Sequence, residues 1–207
     1  MPRLFIGLVL TALLVFVCHC YVDVDLALLI KRKFAGSPAW DRYIVAIPSH
    51  LLLLVSIMTG GAVVGYLALS RKGIDIPARS FLHLVAYVIP AAFVAKTVLK
   101  LIFGGINTRA WLNHPQLYDF HWFDGGGVYD GFPSGHMAVF TALTASLWRF
   151  FPRYRFFCPF FLLVLGSALI VTNYHFLGDV LAGAYLGVFV EAISFRLLSR
   201  HRHIPGH

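Results

Sequence analysis

Six stretches of the chain are dominated by apolar residues, near 3–22, 43–69, 81–103, 135–151, 156–174 and 177–198. A helix needs ~20 such residues to cross a bilayer. None of the stretches is low-complexity, and no internal repeat links them. The pattern predicts an all-α membrane protein of six transmembrane helices, folded as a single domain over 1–207. The first stretch has two readings. Arg3 followed by Leu4 to Val17 resembles the n- and h-regions of a signal peptide. Against that, Cys18-His19-Cys20 is a poor cleavage site, and the apolar pattern resumes at Tyr21. A retained helix is favoured, and cleavage would leave the topology of the rest unchanged.

The polar positions between the runs set orientation. Arg71, Lys72 and Arg79 follow the second run. Arg149, Arg153 and Arg155 follow the fourth, and Arg196, Arg200 and Arg202 the sixth. With Arg3 they fall on one side of a six-span arrangement, which the positive-inside rule makes cytoplasmic. The expected location is a bacterial inner (plasma) membrane with both termini cytoplasmic. Lys31-Arg32-Lys33 falls on the other side. It belongs either to a short interfacial helix over Leu26 to Trp40 or to a solvated basic turn. The outer, periplasmic face then carries connections at 23–42, 104–133 and 174–178. The long middle one reads as a loop or lid, and it holds Gly125-Gly126-Gly127, Trp111, Trp122, His114 and His121. The glycine run lacks the Lys-Ser/Thr of a P-loop and reads as a flexible turn.

Composition sharpens this picture. Apolar residues make up 59% and charged residues 13%, against about 25% charged in soluble domains. Mean hydropathy is +0.77. The net charge of +8 would suggest nucleic acid in a soluble protein. Here the basic residues flank apolar runs, and no soluble face is left for a nucleic-acid groove. Cys18, Cys20 and Cys158 form no CxxC pair and read as buried membrane cysteines. His50 and His83 sit singly in apolar runs and read as core or lipid-facing, with His50 placed to line an entry.

Ionisable groups at membrane depth are costly and point to function. Three groups of them fall at the outer ends of runs. Lys96 and Lys100 close the third, with Arg109 beyond. Pro133-Ser134-Gly135-His136 opens the fourth. His175 and Asp179 flank the start of the sixth. Each has a plain structural reading: snorkelling lysines, a turn before a helix, a packing histidine with a satisfied partner. Their coincidence on one face argues for a shared site. Lys and Arg supply fixed charge for an oxyanion. A helix N-terminus offers free amides to the same anion, and Gly135 lets backbone approach a ligand. A helix containing both His175 and Asp179 puts them on one face, where Asp179 would fix the imidazole tautomer. His136 then suits the acid that protonates a leaving group. The set suggests phosphoryl transfer through a phosphohistidine.

Leu99-Lys100 to Arg109, Phe132-Pro133-Ser134-Gly135-His136 and His175-Phe176-Leu177-Gly178-Asp179-Val180-Leu181-Ala182-Gly183 resemble the three motifs of the type 2 phosphatidic acid phosphatase superfamily. The resemblance covers about 80–198. It implies that His175 is the nucleophile, Asp179 its orienting acid and His136 the general acid. It makes Ser134, Gly135, Lys100 and Arg109 phosphate ligands, and it implies no metal and no cofactor. Two positions depart from the family. Arg109 stands nine residues after Lys100 and is followed by Ala110, not Pro. Leu169 occupies the place of the third-motif Arg, for which Asn173 or His121 would substitute in part.

The expected function is hydrolysis of a phosphomonoester or diphosphate on a lipid headgroup, with a lipid phosphate substrate and membrane lipids as partners. The competing readings are a lipid-to-lipid phosphotransferase with a polyprenyl diphosphate donor, and a non-catalytic transporter or scaffold with a degenerate site. Neither the lipid nor the oligomeric state follows from the residues.

Overall fold

The computed structural model describes residues 2–34 and 51–201. The expectations for 35–50, including His50 and the far half of the interfacial helix, lie outside the described residues, as does Arg202. Among the described residues the secondary structure is helical, apart from two isolated bridges. The helices are α1 (Pro2–Tyr21), α2 (Asp23–Phe34), α3 (Leu51–Arg71), α4 (Pro77–Phe103), α5 (Thr108–Asn113), α6 (Gly135–Phe150), α7 (Phe157–Val171) and α8 (Leu177–His201).

Punctuation residues fix their ends. Pro77 starts α4, where its missing N–H goes unneeded. Gly104 closes α4 at φ 54 and returns its N–H to the Lys100 carbonyl, a left-handed turn that favours glycine. Lys100 is thereby held in the last turn, beside the negative end of the helix dipole. Ser134 caps α6 by accepting the Met137 N–H on its side chain.

Helices α1, α3, α4 and α8 are long and apolar enough to cross a membrane. The expected spans at 135–151 and 156–174 form helices of 16 and 15 residues. At 1.5 Å per residue these reach roughly 24 Å, short of the ~30 Å hydrocarbon core. Outward-facing Phe5, Leu13, Val64 and Leu163 stay exposed, as a lipid-facing surface does.

The core lies where α3, α4, α6 and α8 meet. Leu84, Val85, Val88, Ile89 and Ala92 of α4 pack on Val55, Val139, Ala142 and Val190. α6 and α8 make the most extensive helix contact. They approach closely because Gly183 and Gly187 of α8 rest on the backbone of α6. At the far end of this pair Arg149 grips buried Glu191 through two bonds of 2.6 and 2.9 Å. α1 packs against α8 as well.

The connection 104–133 is not structureless. It holds α5, capped by the Asn107 side chain, and a 3-10 turn at Pro115–Leu117. Trp111 and Ile106 anchor it on Ala27 and Phe176. Gly126 and Gly127 carry positive φ within a tight turn closed onto Tyr129. Cys18 and Cys158 are buried, but Cys20 is exposed, because it projects from the outer side of α1. His83 packs its ring between Tyr66 and Tyr87.

Candidate active site

The C-terminal end of α4 and the N-terminal ends of α6 and α8 meet at one end of the bundle. His175 precedes α8 and is 3% exposed. Its Nδ1 faces Asp179 Oδ2 at 3.4 Å, longer than an optimal bond. The same Asp179 oxygen accepts the Phe176 N–H at 3.0 Å, so the carboxylate is pinned by backbone while it addresses the ring. The Asp179 carbonyl accepts the Ser134 N–H at 3.0 Å, which ties the start of α6 to the start of α8. Burial, reinforced by the Lys100 charge, holds the His175 imidazole well below the ordinary histidine range. The ring is therefore neutral, the form in which it can attack.

His136 lies in the first turn of α6. Tyr174 stands between the two histidines, its ring 5.7 Å from His136 and 4.8 Å from His175. Arg109 lies over the same tyrosine ring at 5.1 Å. Lys100 hydrogen-bonds the Asp130 carbonyl and sits 3.9 Å from its carboxylate. Both Lys100 and Arg109 are within Coulombic reach of His175. Ser134 is fully buried, and Gly135 begins α6 beside it. The first-turn amides of α6 precede any intrahelical partner and give this corner a positive end.

The structure thus brings Lys100, Arg109, Ser134, Gly135, His136, His175 and Asp179 together. The two auxiliary candidates sit differently. Asn173, in a left-handed turn at φ 48, lines a cavity with Asp23, Ile30 and His175 on the α2 side. His121 packs its ring on Tyr129 at 4.0 Å, and its Nδ1 is buried without a bond. Leu169 is buried in an apolar cluster with Met137 and Val180. Its carbonyl accepts the Tyr174 and His175 amides, so this position serves the site through backbone. Lys96 rests its ammonium 4.2 Å above the Phe93 ring, within Coulombic reach of Lys100 and His136. Sequence reasoning missed Tyr174 and Asp130. Adjacency to His175 and to the Pro-Ser-Gly-His run was the available signal for both.

A family profile of the PAP2 superfamily matches residues 80–203, the segment that carries all of these site residues. The chain belongs to the PAP2 superfamily. Two lipid A 1-phosphatases, from Rhizobium johnstonii (strain DSM 114642 / LMG 32736 / 3841) and Rhizobium etli (strain ATCC 51251 / DSM 11541 / JCM 21823 / NBRC 15573 / CFN 42), are 29% and 32% identical to it over 84 residues. That stretch is 41% of this chain and 34% and 36% of theirs. The chain thus spans about a third of the length of the curated relatives it matches. The crystal structure of a transmembrane PAP2 type phosphatidylglycerolphosphate phosphatase from Bacillus subtilis is similar at a TM-score of 0.50 and 17% identity. That match covers 99% of this chain and 100% of the other, and it concerns the fold. With four helices among the described residues able to cross a bilayer, this PAP2 chain is an integral membrane protein.

Proposed function

We propose that the protein is a lipid phosphate phosphatase working through His175. One observation carries the reading: two histidines converge on Tyr174, at helix ends that also bring in Lys100 and Arg109. In the reaction the ring nitrogen of His175 that does not face Asp179 attacks phosphorus and the bond from phosphorus to the lipid oxygen breaks. His136 gives its proton to that departing oxygen. A water then attacks the phosphohistidine, His136 takes up its proton, and inorganic phosphate leaves. Asp179 holds Nδ1 and with it the tautomer. Lys100, Arg109, Ser134 and the Gly135 amide receive the phosphoryl oxygens. Lys100 and Arg109 supply the fixed charge that the third-motif Arg gives elsewhere in the family.

The site lies at the periplasmic face in this reading, because the basic ends of α3, α6 and α8 fall at the opposite end of the bundle. All six apolar runs then cross or enter the membrane, α6 and α7 as its shorter members. The relatives make lipid A 1-phosphate a substrate to include, alongside other lipid monophosphates and polyprenyl diphosphate.

The test is phosphate release from detergent-solubilised protein over that panel, in excess chelator. Release with water as the acceptor, abolished in His175→Ala, is expected. No release from any lipid, or release that needs added magnesium, overturns the proposal. Turnover that requires a second lipid replaces hydrolysis with phosphoryl transfer between lipids.

A further inference from the structure

Helices α1 and α2 lie outside the segment matched by the family profile. Yet α2 opens with a carboxylate that reaches the start of α8. Asp23 is 4% exposed. Its Oδ1 accepts the Gly178 N–H at 3.1 Å across 155 residues of chain.

The need for that bond follows from the local sequence of α8. A helix N-terminus leaves its first amides without partners. In a capping box, the side chain at the third helical position reaches back to the N-cap amide. The N-cap side chain reaches forward to an amide in the first turn. Asp179 makes the first half of this device, since its Oδ2 accepts the Phe176 N–H. The second half is missing from the sequence, because Phe176 has no acceptor on its side chain. Asp23 takes that place from another helix.

Two neighbours fit the arrangement. A Cβ at residue 178 would lie 2.9 Å from Asp23 Oδ2 and 3.6 Å from the Cys18 Cβ. Gly178 therefore admits the carboxylate where any side chain would push it away. His19 of α1 is within Coulombic reach of both Asp23 and Asp179. It is held by stacking on Tyr118 at 4.5 Å, whose hydroxyl donates to the His19 carbonyl at 3.0 Å. Burial pushes the Asp23 carboxyl up to about 6, so the fold keeps this group dry against its preference for water.

We propose that Asp23 is a positioning residue for the His175–Asp179 pair: it completes the cap of α8 from α2 and so fixes the direction from which Asp179 meets the imidazole. This rests on the reading of His175 as the nucleophile. Asp23 acts through the Gly178 amide and the adjoining Asp179, without contact with substrate.

The experiment compares Asp23→Asn, which keeps an acceptor oxygen, with Asp23→Leu, which keeps the size and loses the acceptor. Amide exchange of the 175–182 segment is followed in detergent. Asp23→Leu should expose the first-turn amides, and Asp23→Asn should stay near wild type. In kinetics normalised to folded protein, Asp23→Leu should lower kcat by roughly 10- to 100-fold and leave KM within about twofold. Asp23→Asn should recover most of the rate. Gly178→Ala displaces the carboxylate while retaining it. It should reproduce the loss, and the double variant with Asp23→Leu should be no worse than either single. If Asp23→Leu does not survive purification, Gly178→Ala against Asp23→Asn makes the same comparison. Wild-type exchange in Asp23→Leu or Gly178→Ala overturns the proposal, as does an Asp23→Asn variant as slow as Asp23→Leu. If wild type releases no phosphate from any lipid, the proposed activity fails, and the exchange result still decides whether Asp23 holds the turn.

Discussion

Gly183→Ala adds one carbon, outside the reacting groups, where the α6–α8 contact nears the candidate site. The new Cβ would stand 3.0 Å from the Met137 Cβ and closer still to the Ser134 carbonyl oxygen. Carbon atoms pack best at about 3.5–4.0 Å, so the two helices must part by roughly 0.5–1 Å. Neither neighbour can yield alone. Ser134 is backbone at the cap of α6, and its amide is tied to the Asp179 carbonyl. The separation therefore falls directly between His136 in the first turn of α6 and the His175–Asp179 pair at the start of α8. A misplacement of ~1 Å costs about 100-fold in rate, and overpacking costs about 1–3 kcal/mol of stability. The expected result is a 10- to 100-fold fall in kcat/KM on a lipid phosphate, measured per folded molecule, with a lowered Tm. Gly60→Ala is the control, because a Cβ there meets open space. It should leave both quantities near wild type. Gly183→Ala within twofold of wild-type kcat/KM would refute the argument that this contact sets the distance between the histidines.

His175→Ala should be inactive on lipid and aryl phosphates alike. His136→Ala should lose far more on the lipid than on an activated aryl phosphate, since general acid catalysis contributes about 10²–10⁴-fold only where the leaving group needs a proton; parallel assays on both substrates check this, and an active His175→Ala contradicts it. Burial holds the Asp23 carboxyl at about 6 in the folded protein, above the ~3.9 of a free aspartate. A raised acid stabilises the fold at low pH, and that contribution is lost as pH rises from about 4 to 6, on the order of 2–3 kcal/mol. The Tm of Asp23→Asn relative to wild type should accordingly climb between pH 4.5 and pH 7, and a flat difference counts against a buried charge there. Arg149→Met leaves Glu191, 3% exposed, without its partner. Breaking a buried pair costs about 3–5 kcal/mol, and the lower end applies because Arg149 is partly open to solvent. Thermal melting of Arg149→Met beside Arg149→Met/Glu191→Leu should show the double variant recovering most of the loss.

Helix positions were legible in the sequence because glycine and proline mark them. Pro77, Gly104 and Ser134-Gly135 sit where α4 ends or begins and where α6 starts. The ends of α6 and α7 were less legible, since the run 135–151 takes in Phe151, the C-cap of α6, and the run 156–174 takes in Thr172 to Tyr174 beyond α7. Of the site, the motif residues were readable because each lies at the end of an apolar run. Tyr174 escaped notice because a tyrosine beside a histidine is unremarkable until His136 and Arg109 arrive from elsewhere. Asp23 was out of reach for a stronger reason. Its partner is 155 residues away, and no local pattern announces a cap donated between helices. Leu169 read as a loss of charge, whereas its carbonyl is what receives the Tyr174 and His175 amides. The loop 104–133 read as unstructured because its order comes from Trp111 packing on Phe176, a contact invisible to any window along the chain.

Helix α8 follows α1, α4 and α6 along the chain, packs on all three and brings Asp179 and Glu191. A ribosome that has reached residue 170 has therefore delivered an incomplete machine into the bilayer. Ser134 has an amide with no carbonyl to receive it, Arg149 has no carboxylate, and the groove of Ala138 and Ala142 lies bare. All three defects are cured in the same event, when α8 enters and its glycines seat. Closure of the core and completion of the candidate site are thus one step, because both wait for α8 to dock. A chain that stops before that point leaves the Ser134 amide and the Arg149 guanidinium without the partners α8 supplies.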